Sequence, residues 1–146
     1  MLLKVHVIFT MGLCALVASS LDSEAIIGIA IIQSIIVNYA IDQLGHRGGV
    51  RIPRTHSPTG ALITGLSTAP LALLAKVTPI YVTAVALIGA LAGLSHLLLD
   101  SMTENGIYVR GRRRAISHFR FNDNALNQAF MIMGVAMLLI ALIIIR

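Results

Sequence analysis

Thr78-Pro79-Ile80-Tyr81-Val82-Thr83-Ala84-Val85-Ala86-Leu87-Ile88-Gly89-Ala90-Leu91-Ala92-Gly93-Leu94-Ser95-His96-Leu97-Leu98-Leu99-Asp100 carries no charge before its final carboxylate. A helix needs about 20 apolar residues to cross the hydrocarbon core of a bilayer, and this run has that length. Pro79 falls in the first turn, where its missing N–H removes no helical hydrogen bond. Gly89 and Gly93 repeat at the spacing that lets two membrane helices approach closely. The run ends in an imidazole and a carboxylate four residues apart, hence on one helix face. Polar groups at such depth are costly unless paired or bound to a metal.

The same pattern recurs elsewhere. Leu2 to Ser19 forms a first apolar run, and a second extends from the Leu21-Asp22-Ser23-Glu24 turn to Asp42, ending near Gly45. Asp22 or Ser23 is expected to cap that second helix, with Glu24 at the positive end of its dipole. A third run starts at Ser57-Pro58, a cap followed by a first-turn proline, and reaches about Lys76 with a kink at Pro70. A fifth starts at Asp123 or Asn124 and reaches about Ile145. The expected fold is all-α: a polytopic transmembrane helical bundle of about five spans, forming one integral membrane domain over residues 1–146.

Composition agrees. Of 146 residues 57% are hydrophobic and 12% charged, with a mean hydropathy of +0.88; soluble domains are about one-quarter charged. Met1 to Ser20 has elements of a secretory signal, but His6 interrupts it and further apolar runs follow at once, so retention as a span is expected. Cys14 stands alone in an apolar run, which excludes a disulfide framework and a thiolate metal site. The net charge of +5 comes from arginines in loops: Arg47, Arg51 and Arg54 in one, Arg110, Arg112, Arg113, Arg114 and Arg120 in another. Both loops fall on the side of Lys4. The positive-inside rule then places the N-terminus in the cytoplasm and the C-terminus outside a multi-pass plasma-membrane protein. The partners expected are the bilayer and anionic head groups at the arginine run, with no nucleic acid.

That topology brings the metal-capable side chains to one face. Asp42 and His46 end the second span, His56 starts the third, and His96 and Asp100 end the fourth; His6 lies at a similar level. Asn38 extends the Asp42 stripe by one turn. Imidazoles with carboxylates suit a divalent ion, zinc first, with manganese or iron also served by such donors. The candidate ligands are therefore His46, His56, His96, Asp42, Asp100 and His6. Asp42 and Asp100 are also candidates to activate water or to orient the imidazoles, and Glu104 is a candidate acid–base if the fourth helix continues past Asp100. Arg54, Thr55, Ser57, Arg112 and Arg113 are candidates to hold substrate. No nucleophile elbow, Walker loop or dinucleotide glycine motif occurs. The alternative is a non-enzymatic scaffold or partner-binding protein whose His/Asp pairs only lock helices together.

Gly45-His46-Arg47, Arg54-Thr55-His56-Ser57 and Gly93-Leu94-Ser95-His96-Leu97-Leu98-Leu99-Asp100, with Thr103 and Gly106 beyond, resemble a known signature. It is that of bacterial inner-membrane proteins classed as metal-dependent hydrolases, some under LexA control. The resemblance is closer still to a small archaeal membrane family of unknown function. It covers about Asn38 to Val109 and implies metal-dependent hydrolysis as a reaction class, with no substrate. Proximity to lipid head groups, separately, makes a phosphoester or other lipid-derived ester the expected substrate class. Two departures stand out. Ala40-Ile41-Asp42-Gln43 replaces a motif with an additional carboxylate, and an arginine-bearing insertion separates His46 from Thr55-His56-Ser57. Both depart from the donor pattern of a full two-metal centre.

Overall fold

The computed structural model describes residues 1–21, 23–48 and 50–146. Its order is α1 (Leu3–Ser19), α2 (Glu24–Gly45), β1 (His46–Arg47), β2 (Val50–Arg51), α3 (Pro58–Leu66), α4 (Leu71–Leu74), α5 (Ile80–Ser101), β3 (Ile107–Val109), β4 (Arg112–Arg114) and α6 (Asn124–Ile144). The chain is a helical bundle, and α2, α5 and α6 are each long and apolar enough to cross a membrane. The first run is shorter, and the third is broken: α3 and α4 form an interrupted apolar stretch, Pro58–Leu74. Pro70 therefore does more than kink one span. Residues 67–70 form turns in which Thr68 and Ala69 donate to Gly65 and Leu66, as expected where a proline cannot continue the hydrogen-bond ladder.

Capping follows the sequence at two helices. Ser57 accepts from the Gly60 N–H with Pro58 in the first turn, and Asp123 accepts from the Leu126 N–H at 2.8 Å. Ser23 occupies the cap position of α2 without a side-chain hydrogen bond; Asp22, the other candidate, lies outside the described residues.

Small residues set the helix crossings. A methyl group added to Gly89 or to Gly93 would meet the Gly65 carbonyl at 2.4 Å or the Ala61 carbonyl at 2.2 Å. Two positions four apart on α5 thus face two positions four apart on α3. Gly12 and Gly134 do the same for α1 and α6, with a Gly12 methyl only 1.9 Å from the Gly134 oxygen. Inside the bundle, Gln33 donates to Thr68 Oγ1 at 2.8 Å and to the Val85 carbonyl at 2.9 Å, tying α2 to α5 and to the α3–α4 break. The surface is apolar: Ile80 is 81% exposed, Leu74 79%, Ile143 71% and Ile132 70%. A bundle with polar staples inside and large aliphatic groups outside is matched to lipid.

The loops hold two short hairpins that helical periodicity cannot reveal. β1 pairs with β2, setting His46 opposite Arg51, and β3 pairs with β4, setting Tyr108 opposite Arg113. Arg110 and Gly111 both have positive φ at the tip of the second hairpin, the backbone of a two-residue turn matched to strand twist. The Tyr108 N–H donates to the His56 carbonyl at 2.8 Å, pinning this hairpin to the loop before α3.

Candidate metal centre

Four elements deliver polar side chains to one end of the bundle. His6 comes from the first turns of α1, Asn38 and Asp42 from the last turns of α2, and His96 and Asp100 from the end of α5. His56 precedes the Ser57 cap of α3. His6, His56, His96 and Asp100 are buried, and Asp42 is 21% exposed.

Their reactive atoms alternate around a common centre. Asp100 Oδ2 lies 3.5 Å from His56 Nε2 and 3.3 Å from His96 Nε2. Asp42 Oδ1 lies 3.7 Å and 3.6 Å from the same two nitrogens. Donors bound to one ion at about 2.0–2.2 Å stand about 3–3.6 Å apart, so the spacing is close to that of a coordination shell. His56 Nε2, His96 Nε2 and Asp100 Oδ2 are buried with no hydrogen-bond partner.

The surrounding hydrogen bonds fix which atoms face inward. His96 Nδ1 is 2.8 Å from Asn38 Oδ1, and the Asn38 amide nitrogen is committed to the Ser34 carbonyl. Asn38 is therefore the acceptor, Nδ1 carries the proton, and the Nε2 lone pair points to the centre. The Thr55 hydroxyl donates to the Ile41 carbonyl at 2.8 Å, which leaves its oxygen to accept from His56 Nδ1 at 3.3 Å. This too directs a lone pair inward. Orientation of a ligand imidazole by its other nitrogen is the usual outer-shell arrangement of metal sites. Burial, the largest influence on His56, pushes it below the ordinary imidazole range against the pull of Asp42. A neutral imidazole is the form that binds metal.

Asp100 is held from behind. Its Oδ1 accepts from Arg51 Nη2, lies 3.1 Å from His6 Nε2 and is 3.4 Å from the Met1 nitrogen. Arg51 Nη1 also donates to the Gly106 carbonyl at 3.0 Å. One carboxylate oxygen is thus saturated while the other faces the centre. His6, His96 and Asp100 form a second group with metal-binding separations, but Arg51 occupies the carboxylate oxygen nearest His6. These residues fit one divalent ion between His56, His96, Asp42 and Asp100.

The other candidate residues lie around this core or away from it. His46 is one-third exposed; its Nδ1 contacts the Asp42 carbonyl at 2.8 Å and lies 3.8 Å from Asp42 Oδ1. It lines the solvent side of the centre. Thr55 acts through His56, and Ser57 is a helix cap. Arg54, Arg112 and Arg113 are exposed. Glu104 does not extend the His96–Asp100 face: α5 ends at Ser101, and Glu104 is an exposed turn residue whose N–H donates to the Phe119 carbonyl. Arg51 is the participant that sequence reasoning missed. It looked like one more topology-setting arginine, and only the β1–β2 hairpin turns it inward.

A bundle whose buried imidazoles and carboxylates converge at one end defines a helical protein with metal-binding potential. A family model described as a protein of unknown function (DUF1286) matches residues 1–99, and the chain belongs to that family. The match includes His6, Asp42, His56 and His96 and stops one residue before Asp100. Comparison with curated proteins and with solved structures gives no match.

Proposed function

We propose that the protein is a membrane-embedded, metal-dependent hydrolase acting at the cytoplasmic face on a phosphoester or other lipid-derived ester. The observation that carries this reading is the convergence of His56 Nε2, His96 Nε2 and Asp100 Oδ2, buried and without partners, with Asp42 closing the ring. Lone pairs and carboxylate oxygens facing one another call for a cation between them. The resemblance to membrane-bound metal-dependent hydrolases supports the same reading. Three long apolar helices with two shorter ones and the one-sided arginines support a multi-pass protein of about five spans in the plasma membrane, N-terminus inside.

His56, His96 and Asp100 would hold the ion, zinc first, with manganese or iron as the other candidates. A bound divalent ion supplies Lewis acidity and a water of lowered pKa. Asp42 is the donor that solvent reaches, so its carboxylate is placed to accept a proton from an entering water. Asn38 and Thr55 keep the two imidazoles in the binding tautomer, and Arg51 with His6 holds the Asp100 carboxylate in place.

Elemental mass spectrometry on detergent-purified protein tests this, comparing the wild type with His56→Ala and His96→Ala. The expected result is near-stoichiometric zinc, manganese or iron in the wild type, lost in both folded variants. Folded wild type that stays empty after loading with divalent ions would sink the hydrolase reading. The scaffold reading would then stand, resting on the Arg51–Asp100 pair that joins the β1–β2 hairpin to α5.

A further inference from the structure

A second feature lies on the other side of Arg51. A cavity of about 150 Å³ is lined by Val50, Arg51, Asn105, Tyr108 and Arg113, and no carboxylate contributes to it. Arg51 enters from β2 with only 9% of its side chain exposed. Its two terminal nitrogens are committed to Asp100, Gly106 and Thr103, but its Nε is buried without a partner. Arg113 enters from β4 and makes no ion pair among the described residues. The register of the hairpin puts Tyr108 directly opposite Arg113, and the Tyr108 hydroxyl donates to the Arg51 carbonyl at 3.1 Å. The wall is therefore held to the strand that carries Arg51.

We propose that this pocket is an anion subsite that takes a phosphoryl group, held between Arg51 and Arg113 beside the metal centre. Guanidinium groups are the side chains best matched to phosphate oxygens. The Arg113 fork and the Asn105 amide offer donors beside the Arg51 guanidinium, a set that suits the several oxygens of a phosphoryl group. Arg110, Arg112 and Arg114 lie on the same hairpin, and Glu104, beside Asn105, is the acid nearest in sequence, so positive charge outnumbers negative along this segment and the field favours anions. Arg51 joins the two sites physically. One end holds the Asp100 oxygen that turns Oδ2 toward the metal position, and the other lines the pocket. The substrate role of this subsite rests on the hydrolase reading; anion binding itself rests on the pocket.

The test uses full-length protein in detergent, zinc-loaded and then chelated, titrated calorimetrically with inorganic phosphate. A parallel arm uses nanodiscs with and without phosphatidic acid. Wild type is expected to bind phosphate, to keep binding after chelation, and to weaken at least tenfold on Arg113→Ala with zinc content unchanged. Asn105→Ala is expected to weaken it less. Binding confined to phosphatidic acid and lost in Arg113→Ala would support the same subsite and identify a lipid head group as its source. Phosphate binding that disappears with zinc and ignores Arg113→Ala would place the anion on the metal and overturn the proposal, as would binding of neither probe. Arg113-dependent binding in a protein that never loads metal would keep the subsite and remove the hydrolase reading.

Discussion

Asn38→Leu separates a metal site from a set of polar helix locks. The substitution removes no proposed ligand and no charge, and the new side chain is of similar size. It deletes the acceptor 2.8 Å from His96 Nδ1. Two consequences are open to His96. It can keep the Nδ1 proton unpaired, which costs about 1–3 kcal/mol for a buried donor. Alternatively it can move the proton to Nε2, which blocks the inward lone pair and must be reversed before metal binds. The first route costs the fold and removes the bond that orients and strengthens the imidazole as a ligand, while the second charges the tautomer reversal to binding. A 10- to 100-fold weaker affinity, roughly 1.4–2.7 kcal/mol, is the range typical of outer-shell substitutions. The assay is competition against a chromophoric zinc chelator in detergent, with circular dichroism to show that the helices are intact. Unchanged zinc affinity in a folded Asn38→Leu protein would refute the assignment of Nε2 as the ligand atom. Thr55→Val, which deletes the corresponding acceptor at His56, should weaken zinc less, because that contact is longer at 3.3 Å.

Three other predictions follow from the packing and the protonation states. Gly12→Ala should lower stability by about 1–3 kcal/mol, the range for overpacking, because its methyl would stand 1.9 Å from the Gly134 carbonyl. Gly28→Ala meets open space and should be neutral or gain up to about 1 kcal/mol; thermal unfolding in detergent that ranks the two alike would contradict the close crossing of α1 and α6. Gln33→Leu should cost about 0.6 kcal/mol and at most about 1.7 while leaving zinc content unaltered, and zinc loss would show that Gln33 reaches the centre through the bundle. Acidification should release the ion, since protons compete for the imidazoles. With the folded-state value of His56 held below the ordinary imidazole range, the unfolded chain protonates first as pH drops below about 6.5, so stability also falls with falling pH. Stepwise dialysis with elemental analysis checks this, and zinc retained at about pH 4 would contradict it.

Much of this was legible in the sequence because helices announce themselves through period and length. The caps at Ser57 and Asp123, the ends of α2 and α5, and the close approach at Gly89 and Gly93 follow from local chemistry. One-turn spacing predicted that His96 and Asp100 share a face, and both reach the centre. The same spacing in Asp42 and His46 was less informative. Gly45 ends α2, so His46 departs into a strand and lies at the solvent side. Glu104 fails for a related reason, because α5 stops at Ser101. The role of Arg51 was illegible, since a two-residue strand pairing has no period to detect and a loop arginine looks the same whether it faces water or a buried carboxylate. The Gly12–Gly134 crossing was likewise hidden, being a contact between the first and last helices.

The distribution of unsatisfied atoms distinguishes the site from the rest of the polar interior. Thr10 pairs with Ser95 at 2.8 Å, Ser34 donates to the Ala30 carbonyl, and Gln33 spends both amide hydrogens on Thr68 and Val85. Apart from Gln33 Oε1, which is buried without a partner, these groups close on themselves within the bundle. Among the described residues seven buried side-chain atoms lack a partner, and five of them belong to His6, Arg51, His56, His96 and Asp100. A scaffold built from polar staples has no reason to gather its unpaired atoms at one end, since each costs about 1–3 kcal/mol. A site that exchanges its own unpaired atoms for an ion on one side of Arg51 and an anion on the other does.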